Sequence, residues 1–355
     1  MTEATSGALE YGRDWSASFR RGTDAELRGW LEVAQAACDE ADRVARAHFR
    51  RDLQITTKPD RSFVTQADTA IEQMIREHLH DAFPDHGVVG EEYGVEAGDA
   101  SVRWYIDPID GTHNFIRGIP LFGTLLAVER DGELQAGVVS ASALDERWWA
   151  WRGGGAWARN RGETSPRRID VSGVTALADA LLLYGSGRDI VASGRAPGFE
   201  ALLRDAWRER GFGDFWGYSL VAEGAAEAMI EVDLSSWDAA APFVLVEEAG
   251  GRATDFEGRR RIDTGSFIAS NGVLHETVRQ RVIGGSPSVL RPPMRPTSAS
   301  PPAITTNPSG NKPVAKTTTT PTTPTAIPSP TCTRSGPPAV PVEVPLDVKL
   351  DNAPG

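Results

Sequence analysis

A chain of 355 residues, 40% of them hydrophobic, can bury one large core or two smaller ones, and its net charge of −12 argues against nucleic acid as a partner, because backbone-phosphate binding needs a basic face. No window approaches the roughly 18 consecutive apolar residues of a membrane helix and no basic-then-apolar segment opens the chain, so neither a membrane partner nor secretion is expected. Two cysteines, Cys38 and Cys332, supply no disulfide framework, and a reducing cytoplasm is the expected compartment.

Composition divides the chain into three. Residues 1–22, polar and rich in Gly and Ser, are predicted to be a flexible extension. Residues 23–285 are predicted to fold. Residues 286–355 hold 17 of the 24 prolines and a Thr-Thr-Thr-Thr run, with too little apolar surface to offset the entropy of ordering, and are predicted to be disordered.

Thr23-Asp24-Ala25-Glu26 reads as a capping box opening a helix whose apolar face is Leu27, Trp30, Leu31, Ala34, Cys38, Ala41, Val44 and Phe49. His48, near the helix end, is expected to pack or to meet the helix dipole rather than bind a ligand. A polar loop from Lys58 to Asp68 leads into a second amphipathic helix with Ile71, Met74, Ile75 and Leu79 on one side, and Asp68 can cap it. The apolar pair Val88-Val89 precedes Gly90-Glu91-Glu92. Trp104-Tyr105-Ile106 then reads as a short strand, and Pro108 is predicted to stop its ladder. The turn Asp107-Pro108-Ile109-Asp110-Gly111-Thr112 carries two carboxylates three apart. Such oxygens suit a hard cation like Mg²⁺, and the Gly111 and Thr112 N–H groups suit a phosphate, although two Asp around a Pro are also ordinary turn chemistry.

Residues 122–129 and 134–140 read as strands joined by the hairpin signal Arg130-Asp131-Gly132-Glu133. Arg147 to Trp151 continues the sheet, its three tryptophans expected to pack rather than to stack on bases, and Gly153-Gly154-Gly155 marks a turn. In the second half, Leu181 to Tyr184 is strand-like. A helix is predicted over about 198–210, a short one through Val221 and Ala226, and a strand around Met229-Ile230-Glu231-Val232. Asp238 is read as opening a helix that exits at Gly250-Gly251. A strand over 266–270 and a helix over 273–282 close the domain. Elements mix without strict β-α alternation, so pattern alone supports a mixed α/β (α+β) fold.

Three strings, Gly90-Glu91-Glu92, Asp107-Pro108-Ile109-Asp110-Gly111-Thr112 and Trp237-Asp238 ahead of Glu248-Ala249-Gly250-Gly251, stand in an order that resembles the inositol monophosphatase family of Mg²⁺-dependent phosphatases. The resemblance runs from about residue 24 to 282. It implies a layered αβαβα sandwich of the inositol monophosphatase / fructose-1,6-bisphosphatase type, with metals between an N-terminal subdomain (about 23–160) and a C-terminal one (about 161–285). It also implies a homodimer. By resemblance, Glu91, Asp107 and the Ile109 carbonyl bind a first ion, Asp107, Asp110 and Asp238 a second, and Asp68 with Glu91 a weaker third. Thr112, with Glu91 and Asp68, is assigned to the attacking water. Asp110, Gly111, Thr112 and Asp238 are assigned to the phosphate ester, and Glu92 to fixing its neighbours. Lys58 is typical of the family, but its spacing is one residue short.

Within the family, Gly213-Asp214-Phe215 with Tyr218, Trp148-Trp149-Ala150 and Val221-Ala222-Glu223-Gly224 are most similar to the histidinol-phosphate phosphatase branch. That branch makes Asp214 and Glu231 the candidates for an ammonium-bearing substrate. The alternatives are an inositol or fructose-type sugar monophosphatase and, from a different class, a catalytically silent metal-binding regulator. Intact Asp107, Asp110, Thr112 and Asp238 argue against the last.

Overall fold

The computed structural model of the chain describes residues 21–59, 62–98 and 101–284, all within one compact unit. The predicted tail at 286–355, and the predicted extension through residue 20, lie outside the described residues.

The helix α1 (Asp24–His48) is capped as its sequence predicts, with Thr23 Oγ1 accepting from the Glu26 N–H and the Glu26 carboxylate accepting from the Thr23 N–H. A small hairpin of β1 (Ile55–Thr57) and β2 (Phe63–Thr65) feeds α2 (Gln66–Ala82). Then come β3 (Gly87–Gly90), β4 (Gly94–Glu96), β5 (Val102–Asp110) and the short α3 (Thr112–Ile116). A meander follows: β6 (Gly123–Arg130), β7 (Glu133–Ala141), β8 (Glu146–Trp151), β9 (Gly155–Arg159) and β10 (Arg167–Ile169). The second half runs β11 (Leu181–Tyr184), α4 (Gly187–Ala192), α5 (Ala196–Asp205), β12 (Arg208–Arg210), α6 (Asp214–Ala222) and β13 (Ala228–Val232). It ends with α7 (Ser236–Glu248), β14 (Arg252–Thr254), β15 (Ser266–Ser270) and α8 (His275–Ile283).

Strand order β10-β9-β8-β7-β6-β5-β3-β4 makes an eight-stranded sheet, and β12-β11-β13-β15-β14 a five-stranded one. Three apolar cores glue five layers. In the first, α1 and α2 cover one face of the large sheet, through Trp30, Ala41, Ile71, Trp104, Leu126 and Val138. The second holds α6 and α7 between the sheets, with Leu125, Trp148, Phe215, Val244 and Phe267. The third buries Leu182, Ile190, Leu202, Ile230, Ile268 and Val278 under α4, α5 and α8. The architecture is therefore the αβαβα sandwich. Strand alternation explains the tryptophans: Trp148 faces the middle core and Trp149 the α1/α2 core, so a one-residue slip of β8 would exchange them.

Several local expectations need correction. Pro108 does not end its strand. β5 continues to Asp110, and the β5–β6 register shifts between Asp107 and Asp110, so the residue without an N–H falls where the ladder is interrupted. The β6–β7 hairpin, by contrast, forms where the sequence predicts it, turning on Asp131 (φ 52°) and Gly132 (φ 83°), the positive-φ pair that a two-residue hairpin needs. The helix expected over 198–210 stops at Asp205, because Arg208–Arg210 pairs in parallel with Leu181, Leu182 and Leu183. The helix expected through Val221 and Ala226 starts at Asp214 and ends at Ala222, before Gly224 at φ 72°. Nor does Asp238 open α7. Ser235 is the N-cap and Asp238 the third helical residue.

Candidate active site

The C-terminal end of β5, α3, the start of α6, the end of β13 and the start of α7 converge on a cavity of about 210 Å³. Asp107 and Asp110 arrive from β5 and Asp238 from α7, and one oxygen from each lies within 4.8 Å of the others. Asp107 is 2% and Asp110 8% exposed. Burial, and then the Glu91, Asp110 and Asp238 charges, push Asp107 well above the usual carboxylate range. Burial and the Asp214 and Asp238 charges do the same to Asp110, and burial lifts Asp238 to about 7. Three like charges at this spacing are unstable without a counter-charge. Asp107 Oδ1 is buried without a hydrogen-bond partner among the described residues. A hard divalent cation answers both problems, so these residues fit Mg²⁺.

Asp68 and Asp238 are presented by one device on two helices. Asp68 Oδ2 accepts from the Thr65 N–H at 2.8 Å and Thr65 Oγ1 at 2.5 Å. Asp238 Oδ2 accepts from the Ser235 N–H at 2.6 Å. Each aspartate is the carboxylate member of a capping box, so one oxygen is tied to its own helix start. The other Asp68 oxygen lies 3.4 Å from Thr112 Oγ1, which also donates to the Ile109 carbonyl at 2.9 Å. The structure thus brings Thr112, Asp68 and Ile109 together. Asp68 lies behind the cavity wall, outside the lining.

Glu91 lines the cavity but is outside the tight trio, and its Oε1 takes a 2.8 Å ion pair from Lys58, whose ammonium also meets Glu92 at 2.7 Å. Lys58 therefore sits on the two carboxylates. Glu92 is pushed up to about 7, by burial first. Gly111 has φ 82°, and a Cβ there would approach the Leu121 carbonyl to 2.9 Å, so the turn requires glycine. Its position as N-cap of α3 puts the Gly111–Thr112 backbone at a helix start facing the cavity.

Across the cavity stand Asp214 and Glu231. Asp214 is the first residue of α6, at φ 51°, and its Oδ2 accepts from Asn114 Nδ2 at 3.3 Å. It makes no cap of its own. The start of α6 is tied instead by Asp110, whose Oδ2 accepts from the Phe215 N–H. Glu231 accepts from the Tyr218 hydroxyl at 2.6 Å, and burial lifts it to about 8. Among the described residues seven carboxylates line the cavity, Glu91, Asp107, Asp110, Asp214, Glu231, Asp233 and Asp238, with no lysine or arginine beside them in the lining. Sequence reasoning missed Asp233, Tyr218 and the edge-to-face ring pair Phe63 and His113, which also line it. Only Tyr218 had a signal, in the Gly213-to-Tyr218 string.

Comparison with known proteins agrees with this geometry. The model of the inositol monophosphatase family matches residues 26–283. A histidinol-phosphatase from Streptomyces coelicolor is 45% identical, over 69% of this chain and 94% of that protein. One from Mycobacterium tuberculosis is 44% identical, over 72% of this chain and 98% of that protein. The crystal structure of the extragenic suppressor protein suhB from Bartonella henselae superposes with a TM-score of 0.67 at 30% identity, covering 72% of this chain and 99% of that one.

Proposed function

The chain belongs to the inositol monophosphatase family and is a phosphoric monoester hydrolase, and from that premise we propose that it hydrolyses histidinol phosphate to histidinol and phosphate with Mg²⁺. The observation that carries the substrate is the count of carboxylates in the cavity wall. In this reading Glu91, Asp107, Asp110 and Asp238 serve the metals. Asp214, Glu231 and Asp233 remain. A substrate carrying an ammonium beside its phosphate offers them charge-assisted hydrogen bonds, whereas one with only hydroxyls offers neutral ones. The names of the relatives at 44–45% identity point the same way.

Bound Mg²⁺ supplies Lewis-acid polarisation of the phosphoryl oxygens and acidifies a water. In this reading Glu91, Asp107 and the Ile109 carbonyl would hold one ion, Asp107, Asp110 and Asp238 a second, and Asp68 with Glu91 a weaker third. Thr112 Oγ1 would accept a hydrogen bond from the attacking water, its single proton turning from the Ile109 carbonyl at 2.9 Å to Asp68 Oδ1 at 3.4 Å. The Gly111 and Thr112 N–H groups receive the phosphate. Asp214 and Glu231 take the ammonium end. Glu92 steadies Lys58 against Glu91. A cytoplasmic homodimer completes the proposal.

Phosphate release from histidinol phosphate, inositol 1-phosphate and fructose 1,6-bisphosphate, with and without a chelator, tests it. Histidinol phosphate is expected to have the highest kcat/KM, and chelation to abolish all release. A preference for inositol phosphate would overturn the substrate, and full activity under chelation the metal.

A further inference from the structure

The buried face of α2 carries a second acid one turn beyond Asp68. Glu72 is fully buried on the helix that also buries Ala67, Ile71 and Ile75, an environment where a glutamate is seldom found. Its two oxygens are spent on the backbone that leaves β3. Oε2 accepts from the Glu92 N–H at 2.6 Å and Oε1 from the Tyr93 N–H at 3.1 Å. The preceding amide, of Glu91, donates to the Ile106 carbonyl at 3.2 Å, one residue before Asp107. Three consecutive N–H groups are therefore fixed, one by β5 and two by Glu72. Arg76 balances the charge, with its guanidinium 2.8 Å from Glu72 Oε1, and also donates to the Gly94 carbonyl at 2.6 Å.

Gly90 belongs to the same arrangement. A Cβ at that position would lie 2.0 Å from Glu72 Oε1, so the glycine ahead of Glu91 makes room for the carboxylate. A three-residue connection between the antiparallel strands β3 and β4 does not need a buried ion pair from a helix to close. Burying such a pair is costly, and removing one partner leaves the other uncompensated. What the pair adds is a single direction for the Glu91 side chain.

We propose that Glu72 is a positioning residue for the metal centre: with Arg76 it pins the 90–93 turn so that Glu91 enters the cavity beside Asp107. The inference rests on the reading of Glu91 as a metal ligand. In Glu72→Gln one half of the amide presents N–H to an N–H of the turn, so the turn loses a bond and gains a repulsion.

Mg²⁺ titration of the metal-stripped full chain by calorimetry is the test. Glu72→Gln is expected to weaken Mg²⁺ binding about tenfold or more, as loss of a ligand-orienting partner does, while kcat at saturating Mg²⁺ changes far less. Glu91→Gln supplies the reference, and the double variant should bind Mg²⁺ no more weakly than Glu91→Gln alone, since both act through one ligand. A folded Glu72→Gln protein with unchanged Mg²⁺ binding, or additive losses in the double variant, overturns the proposal. Unchanged binding in Glu91→Gln overturns its premise instead. Should Glu72→Gln fail to fold, Arg76→Lys loosens the same turn through the Gly94 contact, and unchanged Mg²⁺ binding there overturns the proposal.

Discussion

The two ends of α7 carry acids buried in opposite ways. At its start Asp238 meets Asp107 and Asp110 in a cavity whose described lining has no lysine or arginine. At its end Glu247 and Glu248 meet Arg152 and Arg260, and Glu133 completes the group. Arg152 NH1 lies 2.8 Å from Glu247, and Arg260 NH2 lies 2.7 Å from Glu247 and 3.1 Å from Glu133. Helix polarity accounts for part of the contrast: an acid at a helix start is stabilised by the dipole, and one at its end is opposed and needs a cation. The remainder is function. Where a buried acid already has its arginine, the fold has satisfied itself, and where acids face each other without one, the fold leaves a place for a cation from outside.

The sharpest way to break this contrast is Asp107→Asn. Removing one of three mutually repelling carboxylates is expected to leave the metal-free melting temperature unchanged or higher, while phosphatase activity falls on the order of a thousandfold or more for lack of the metal's charge stabilisation. A melting temperature that falls with activity would show the cluster to be structural. At the other end of α7, Arg152→Met should do the reverse. Glu133 and Glu247 then keep only Arg260, and losing one of their two arginines is expected to cost roughly 1.5–3 kcal/mol in denaturant unfolding, with the Mg²⁺ dependence of the folded enzyme unchanged. A shifted Mg²⁺ dependence would mean the two ends are coupled.

The next effect in size lies within the cavity. Asp214→Asn and Glu231→Gln are each expected to reduce kcat/KM for histidinol phosphate by roughly ten- to a hundredfold, the ~1.5–3 kcal/mol of a charge-assisted hydrogen bond, while barely changing hydrolysis of a phosphate ester of a small uncharged alcohol. Equal losses on both substrates would move these acids from the substrate to the support of the metals.

How much of this was legible in the sequence depends on what each residue type requires. Asp107, Asp110 and Gly111 could be read from a single turn, and the αβαβα layering followed from resemblance, which the sheet order bears out. Capping signals were legible at Thr23, but the same pattern went unread at Thr65–Asp68 and Ser235–Asp238, where the acid was considered for its own sake. Short edge strands such as β4 and β12 were not legible at all. Three residues carry no periodicity, and their partners are supplied by tertiary pairing. Glu72 did leave a trace, as a charge on the apolar face of α2, but its partners lie twenty residues away in the 90–93 turn and only the fold identifies them.

The smallest expected effect applies the same rule to a buried polar group with no free partner at all. His275, fully buried at the start of α8, sits between Thr254 Oγ1 at 2.8 Å from Nε2 and Ser270 Oγ at 2.8 Å from Nδ1. Thr254 spends its proton on the Asp255 carbonyl, so Nε2–H donates and Nδ1 accepts from Ser270, a closed set for the neutral ring. Burial, and then the Arg252 charge, depress the imidazole to about 4; the Arg279 charge adds to this, and Glu276 opposes it. With the folded value below the unfolded one, the unfolded chain takes up the proton first, so stability is lost as pH falls from about 6.5 toward 4. Between pH 7.5 and 5.5 that loss is about 1 kcal/mol. Denaturant unfolding at the two pH values should show wild type losing about that much more than His275→Asn, because the variant has no proton to take up. An identical pH dependence in both proteins would show that the ring takes up its proton in the folded state as readily as in the unfolded chain, and that a closed hydrogen-bond set does not exclude a proton here.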